Sequence, residues 1–89
     1  MTSERVDMIR SRLEREFSPV ELRVKDQSHL HAGHAGAKDG LGHFDVFIVS
    51  DAFNGLSRIQ CHQRIYAAMG TLMQTDIHAL SIRANGTDQ

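Results

Sequence analysis

The chain has 89 residues, enough for one domain that buries about 60% of the surface its unfolded form exposes. With 40% hydrophobic and 24% charged residues it is not a disordered chain, and a net charge of −1 with neutral histidines excludes the basic footprint of most stand-alone nucleic-acid binders. The single cysteine, Cys61, excludes an internal disulfide, and no apolar run approaches the roughly 20 residues that span a bilayer. Residues 1–17 are charged throughout, unlike a signal peptide, so a reducing, cytoplasmic setting is expected. Protonating all six histidines would carry the charge from −1 to +5, which makes any field-driven binding pH-dependent.

Residues 3–17 read as an amphipathic helix. Ser3 is the candidate cap, Val6, Ile9, Leu13 and Phe17 recur at spacings of three and four, and alternating arginines and glutamates form a solvated side. Ser18-Pro19 stops it. Val20-Glu-Leu-Arg-Val-Lys-Asp26 alternates as a half-buried strand with Val20, Leu22 and Val24 toward the core. After a long connection, His43-Phe-Asp-Val-Phe-Ile-Val-Ser50 reads as a central strand, with Phe44, Val46 and Ile48 on one face and Phe47 and Val49 on the other. Asn54-Gly55 marks a turn and Ser57 is the N-cap of a second helix from Arg58 to about Met73. Its broad buried face takes in Ile59, His62, Ile65, Tyr66, Met69, Leu72 and Met73. Residues 77–84 form a third strand, and residues 85–89 read as a flexible tail.

The order helix, strand, strand, helix, strand predicts an α+β fold. It is a small α-β-β-α-β sandwich, with a three-stranded mixed sheet and helices on one face. A right-handed crossover would lay the third strand parallel to the second. The whole chain is one domain with its core at about 5–84.

The connection from Asp26 to Phe44 is long for a strand connection and holds His29, His31, His34 and His43 among glycines 33, 36, 40 and 42. Rings at 29, 31 and 34 could converge on Zn²⁺, Ni²⁺ or Cu²⁺, but nothing in the spacing fixes a geometry. Solvent exposure is the plainer reading of His29 and His34. Gly33-His-Ala-Gly36 matches the GXXG with which KH domains clamp a nucleic-acid backbone, yet that motif belongs between helices and here lies between strands. No aromatic residues interleave with basic ones along the chain, so no base-stacking platform is expected. Cys61 has no arginine, lysine or second cysteine adjacent in sequence and reads as a small, partly buried hydrophobe. His62 and Tyr66, one turn apart, either hydrogen-bond near the sheet edge or border a partner surface. No nucleophile elbow, phosphate loop or paired carboxylates appear, so the chain reads as non-catalytic.

The sequence resembles the BolA-like proteins. The resemblance is carried by Ser28-His-Leu-His-Ala-Gly-His34, Gly42-His-Phe-Asp-Val-Phe-Ile-Val-Ser50, Phe53-Asn-Gly55, Cys61-His-Gln-Arg-Ile-Tyr66 and Ile77-His-Ala-Leu-Ser-Ile82. It covers about residues 5–84. It implies a fold like the type II KH domain and a partnership with a monothiol glutaredoxin, in which the two proteins share a [2Fe-2S] cluster bound with glutathione. The family match assigns one ligand to His78 and a second to His43, with His31 as the alternative loop ligand. The resemblance also implies roles in iron homeostasis, stress response and transcription, with DNA as an alternative partner for the second helix and third strand. His62, Arg64 and Tyr66 are the candidate partner- or nucleic-acid-binding residues there. The family's second helix usually carries Arg-His-Arg where this chain has Cys61-His62-Gln63, so two basic residues are lost, although Arg64 follows. If the second and third strands are parallel neighbours, His43 and His78 can sit at one end of the sheet. Imidazole can replace thiolate on an iron of a [2Fe-2S] centre, and two histidines leave positions for a partner's ligands. The free protein is expected to be a monomer.

Overall fold

The structure, a computed structural model, describes residues 3–27, 42–75 and 77–88, with the backbone alone at residues 3 and 78. Helix α1 spans Ser3–Phe17 and buries Ile9, Leu13 and Phe17, the stripe its sequence spacing dictates. It ends where Ser18 takes a left-handed φ of 43° and donates its N–H to the Glu14 carbonyl at 3.0 Å.

Strand β1 (Glu21–Asp26) turns Leu22 and Val24 toward the core. Val20 was expected with them, but it precedes the strand and is 71% exposed. Strand β2 (Gly42–Val49) buries Phe44, Val46 and Ile48 against the helices. Its end is locked by Ser50, whose buried hydroxyl donates to the Phe17 carbonyl at 2.5 Å and accepts from the Ala52 N–H at 3.1 Å. One side chain thereby ties the end of α1 to the end of β2 and starts the 3-10 turn Asp51–Phe53.

Helix α2 (Arg58–Met69) opens on a capping box, in which Ser57 and Gln60 each bond the other's backbone N–H. The sequence reads one helix to Met73, but the chain breaks at Gly70, with φ 55° and ψ −128°, and resumes as the short α3, Leu72–Thr75. The carbonyls left over at the end of α2 receive Arg12 from α1, whose Nη1 donates to the Met69 carbonyl at 3.2 Å. The buried stripe runs through Cys61, Ile65, Met69 and Leu72. Ile59, two residues before Cys61 and so about 200° around the helix, is 69% exposed rather than buried.

Strand β3 (Ile77–Asn85) completes a sheet of order β1-β2-β3, antiparallel between β1 and β2 and parallel between β2 and β3. The side chains of α1 and α2 and the inward residues of the sheet form one hydrophobic cluster, which leaves the other face of the sheet uncovered by these helices. Residues 85–88, the described part of the expected tail, make defined contacts. Asn85 ends β3, Gly86 is buried against Asn54, and Thr87 is held by an N–H bond to Asn54 Oδ1 at 2.7 Å and a hydroxyl bond to Asp51.

Candidate metal-binding end of the sheet

His43 and His78 open the two parallel strands. Gly42 aligns with Ile77 and His43 with Ala79, so the register slips by one residue between Gly42 and His43 and leaves His78 as the additional residue of β3. Such an irregularity bends a strand locally and re-aims a side chain, and it recurs beside functional sites. The fold thus brings the backbones of two histidines, far apart in sequence, to adjacent positions at one end of the sheet. His43 is half-buried, its Nε2 is screened from solvent, and its carbonyl accepts the Gln27 N–H at 2.7 Å. The stub of the long connection is therefore tied to the candidate ligand's own backbone.

His31, the alternative ligand, lies outside the described residues, as do His29, His34 and the Gly33–Gly36 segment. Among the described residues no group of three or more histidine, cysteine, aspartate or glutamate side chains could hold a metal ion.

The second candidate group divides. Tyr66 Oη donates to the Leu80 carbonyl at 3.4 Å, on the β3 side of α2. His62, half-buried, lines a groove of about 610 Å³ with Arg58, Cys61, Ile82, Arg83 and Asn85. Arg64 faces elsewhere, in a shallow cleft with Gln60, Gln63 and Ala67. Three residues proposed as one interface therefore occupy two surfaces of α2.

Cys61 is buried, and that burial pushes its thiol above the usual range. Arg64, one turn along, pulls the other way but does not reverse the effect. A protonated thiol in a packed core is a poor nucleophile and a poor metal ligand.

Comparison with known proteins bears on this arrangement. The sequence profile of the BolA-like protein family matches residues 13–89. The chain belongs to the BolA-like family. This BolA-like chain is 47% identical over 81 residues to SufE-like protein 1, chloroplastic/mitochondrial, of Arabidopsis thaliana, a match covering 85% of this chain and 22% of that protein. It is 38% identical over 79 residues to the DNA-binding transcriptional regulator BolA of Escherichia coli, covering 84% of this chain and 72% of the other. The BolA domain of SufE1 from Arabidopsis thaliana has the same fold, with a TM-score of 0.83 and 43% identity over 94% of this chain and 93% of that one. The BolA-like chain spans only 22% of SufE-like protein 1 and 51% of a second relative from Arabidopsis thaliana, Protein BOLA1, chloroplastic, to which it is 42% identical over 81 residues. The names of these two Arabidopsis relatives place them in chloroplast or mitochondrion, so family membership does not carry a cytoplasmic setting. No helix among the described residues is long and apolar enough to cross a membrane.

Proposed function

We propose that this chain is a non-enzymatic adaptor that docks on a monothiol glutaredoxin and supplies imidazole ligands to a shared [2Fe-2S] cluster. The observation that carries the proposal is the β2–β3 register, with its irregularity at Gly42/His43, which sets His43 and His78 at one end of the sheet. The chemistry fits, since imidazole nitrogen is an accepted replacement for thiolate in such clusters and raises their potential. The cluster itself would supply one-electron chemistry and a transferable iron–sulfur unit. A set of two donors needs completion from outside the chain, by a partner cysteine and the glutathione thiol, with His31 held in reserve on the long connection. Because His43 Nε2 is screened, either its Nδ1 carries the ligation or the ring turns outward. In this reading the free protein is a cytoplasmic monomer acting in iron homeostasis and stress response.

The test is anaerobic mixing with a cluster-loaded monothiol glutaredoxin and glutathione, followed by size-exclusion chromatography and visible circular dichroism. A 1:1 complex with an altered cluster spectrum is expected, and His78→Ala is expected to abolish that alteration. A complex whose spectrum matches that of the glutaredoxin alone would remove the histidines as ligands.

A second reading is favoured by the names of the bacterial relatives, which are DNA-binding transcriptional regulators. In it, duplex DNA would meet α2 and β3, where Arg58, His62 and Arg83 line one groove. Glutamine and cysteine in place of two arginines weaken this reading. Sequence-selective gel shifts at physiological salt would carry it, and binding that vanishes with modest added salt would not.

A further inference from the structure

The face of the sheet turned away from the helices carries residues from all three strands. Arg23 and Lys25 come from β1, Asp45 and Phe47 from β2, and Ser81 and Arg83 from β3, around an open cleft of about 410 Å³. The register sorts them into rows. Arg23 aligns with Phe47, and Phe47 with Arg83; the next row is Lys25, Asp45 and Ser81. The aromatic ring therefore stands between two arginines at spacings of about 4.8 Å per strand. The Arg23 guanidinium carbon lies over the Phe47 ring, 5.7 Å from its centroid, and Glu21 holds that guanidinium at 2.8 Å. Lys25 and Arg83 make no ion pair among the described residues. The cleft thus bears three cations and two carboxylates on a chain whose net charge is −1, so this face runs against the charge of the whole.

We infer that this uncovered face binds single-stranded nucleic acid. An aromatic ring with a guanidinium over it and a second arginine on the next strand offers π and cation–π stacking to an unpaired base, and the open sheet face leaves room for one. Lys25 and Arg83, standing to either side, are placed to meet phosphates of an extended strand. A duplex keeps its base faces stacked on one another and cannot use the Phe47 row. The surface lies apart from the histidine end of the sheet and shares only Arg83 with the α2–β3 groove, so Lys25 and Phe47 are the residues that tell the two surfaces apart.

The experiment uses the chain alone and fluorescence anisotropy of a fluorescein-labelled thymidine oligonucleotide at low ionic strength. The matched duplex and a poly-glutamate peptide serve as competitors. The single strand is expected to bind, with an affinity that falls as salt is added. Phe47→Leu should weaken it about tenfold through lost stacking. Arg83→Glu and Lys25→Glu, both at exposed positions, should weaken it at least as much and flatten the salt dependence while leaving the melting temperature near that of the parent. The inference is overturned if the oligonucleotide does not bind, or if the Lys25 and Arg83 variants bind it unchanged. It is also overturned if duplex competes as well as single strand, which would favour the α2–β3 reading, or if poly-glutamate competes equally, which would mark a surface for acidic protein.

Discussion

Cys61 shows how a residue's role is decided by its surroundings rather than its type. In the sequence it reads as a small, partly buried hydrophobe; in the structure it is part of the helix's buried stripe, and Ile59, expected there, is out in solvent. The phase of a helix with seven candidate core positions cannot be read to better than a residue or two from spacing alone, because both stripes satisfy the same period. Arg64 is not next to the thiol in sequence yet acts on it, since adjacency on a helix is by three or four residues and not by one. The raised thiol pKa has a consequence for stability. The unfolded chain releases the thiol proton at lower pH than the folded chain does, so above about pH 8.5 the unfolded state binds fewer protons and unfolding becomes easier. Stability should therefore be complete below that pH and decline above it. Urea melts between pH 7 and pH 10 should show a shallower decline for Cys61→Ala than for the parent. The same burial predicts that a thiol reagent modifies Cys61 only at the rate at which the native structure opens.

At the level of elements, ends were harder to read than middles. The Ser57 cap was legible because Ser-x-x-Gln before a helix is a local pattern, and the structure completes it with bonds of 2.9 and 3.2 Å. Ser57→Ala should lower stability by about 1 kcal/mol in denaturant titrations, with the fold retained. The end of α2 was not legible. Gly70 is tolerated in a helical pattern, and what stops the helix there is partly Arg12, a residue 57 positions away that fills the terminal carbonyls. The contacts of the tail are hidden for a similar reason, because Asn85-Gly-Thr reads as a loop end and only the fold brings Asn54 and Asp51 beside it. The stacking row of Arg23, Phe47 and Arg83 belongs here too. Each residue sits in a plainly alternating strand, yet only strand order and register set them side by side.

For the whole molecule, element order and the handedness of crossovers were enough to derive a three-stranded mixed sheet with helices on one face, as observed. They also located the two histidines at one end of it, although the one-residue slip beside Gly42 could not be foreseen from either strand's pattern. The sheet has a further property. Both pairings run through β2, and neither partner reaches it by a tight turn. β1 arrives across residues 27–41 and β3 across residues 50–76. Among the described strands no short hairpin is available as a local seed, so the loop-closure entropy of both connections must be overcome before the ladder rewards it, and folding should be slower than in a helical bundle of this size. Once formed, the central strand cannot lose its amides to solvent without loss of both neighbours. Hydrogen exchange should therefore find the β2 amides at Val46 and Ile48 among the slowest, opening only with global unfolding, while those of β1 and β3 that face outward exchange through smaller openings.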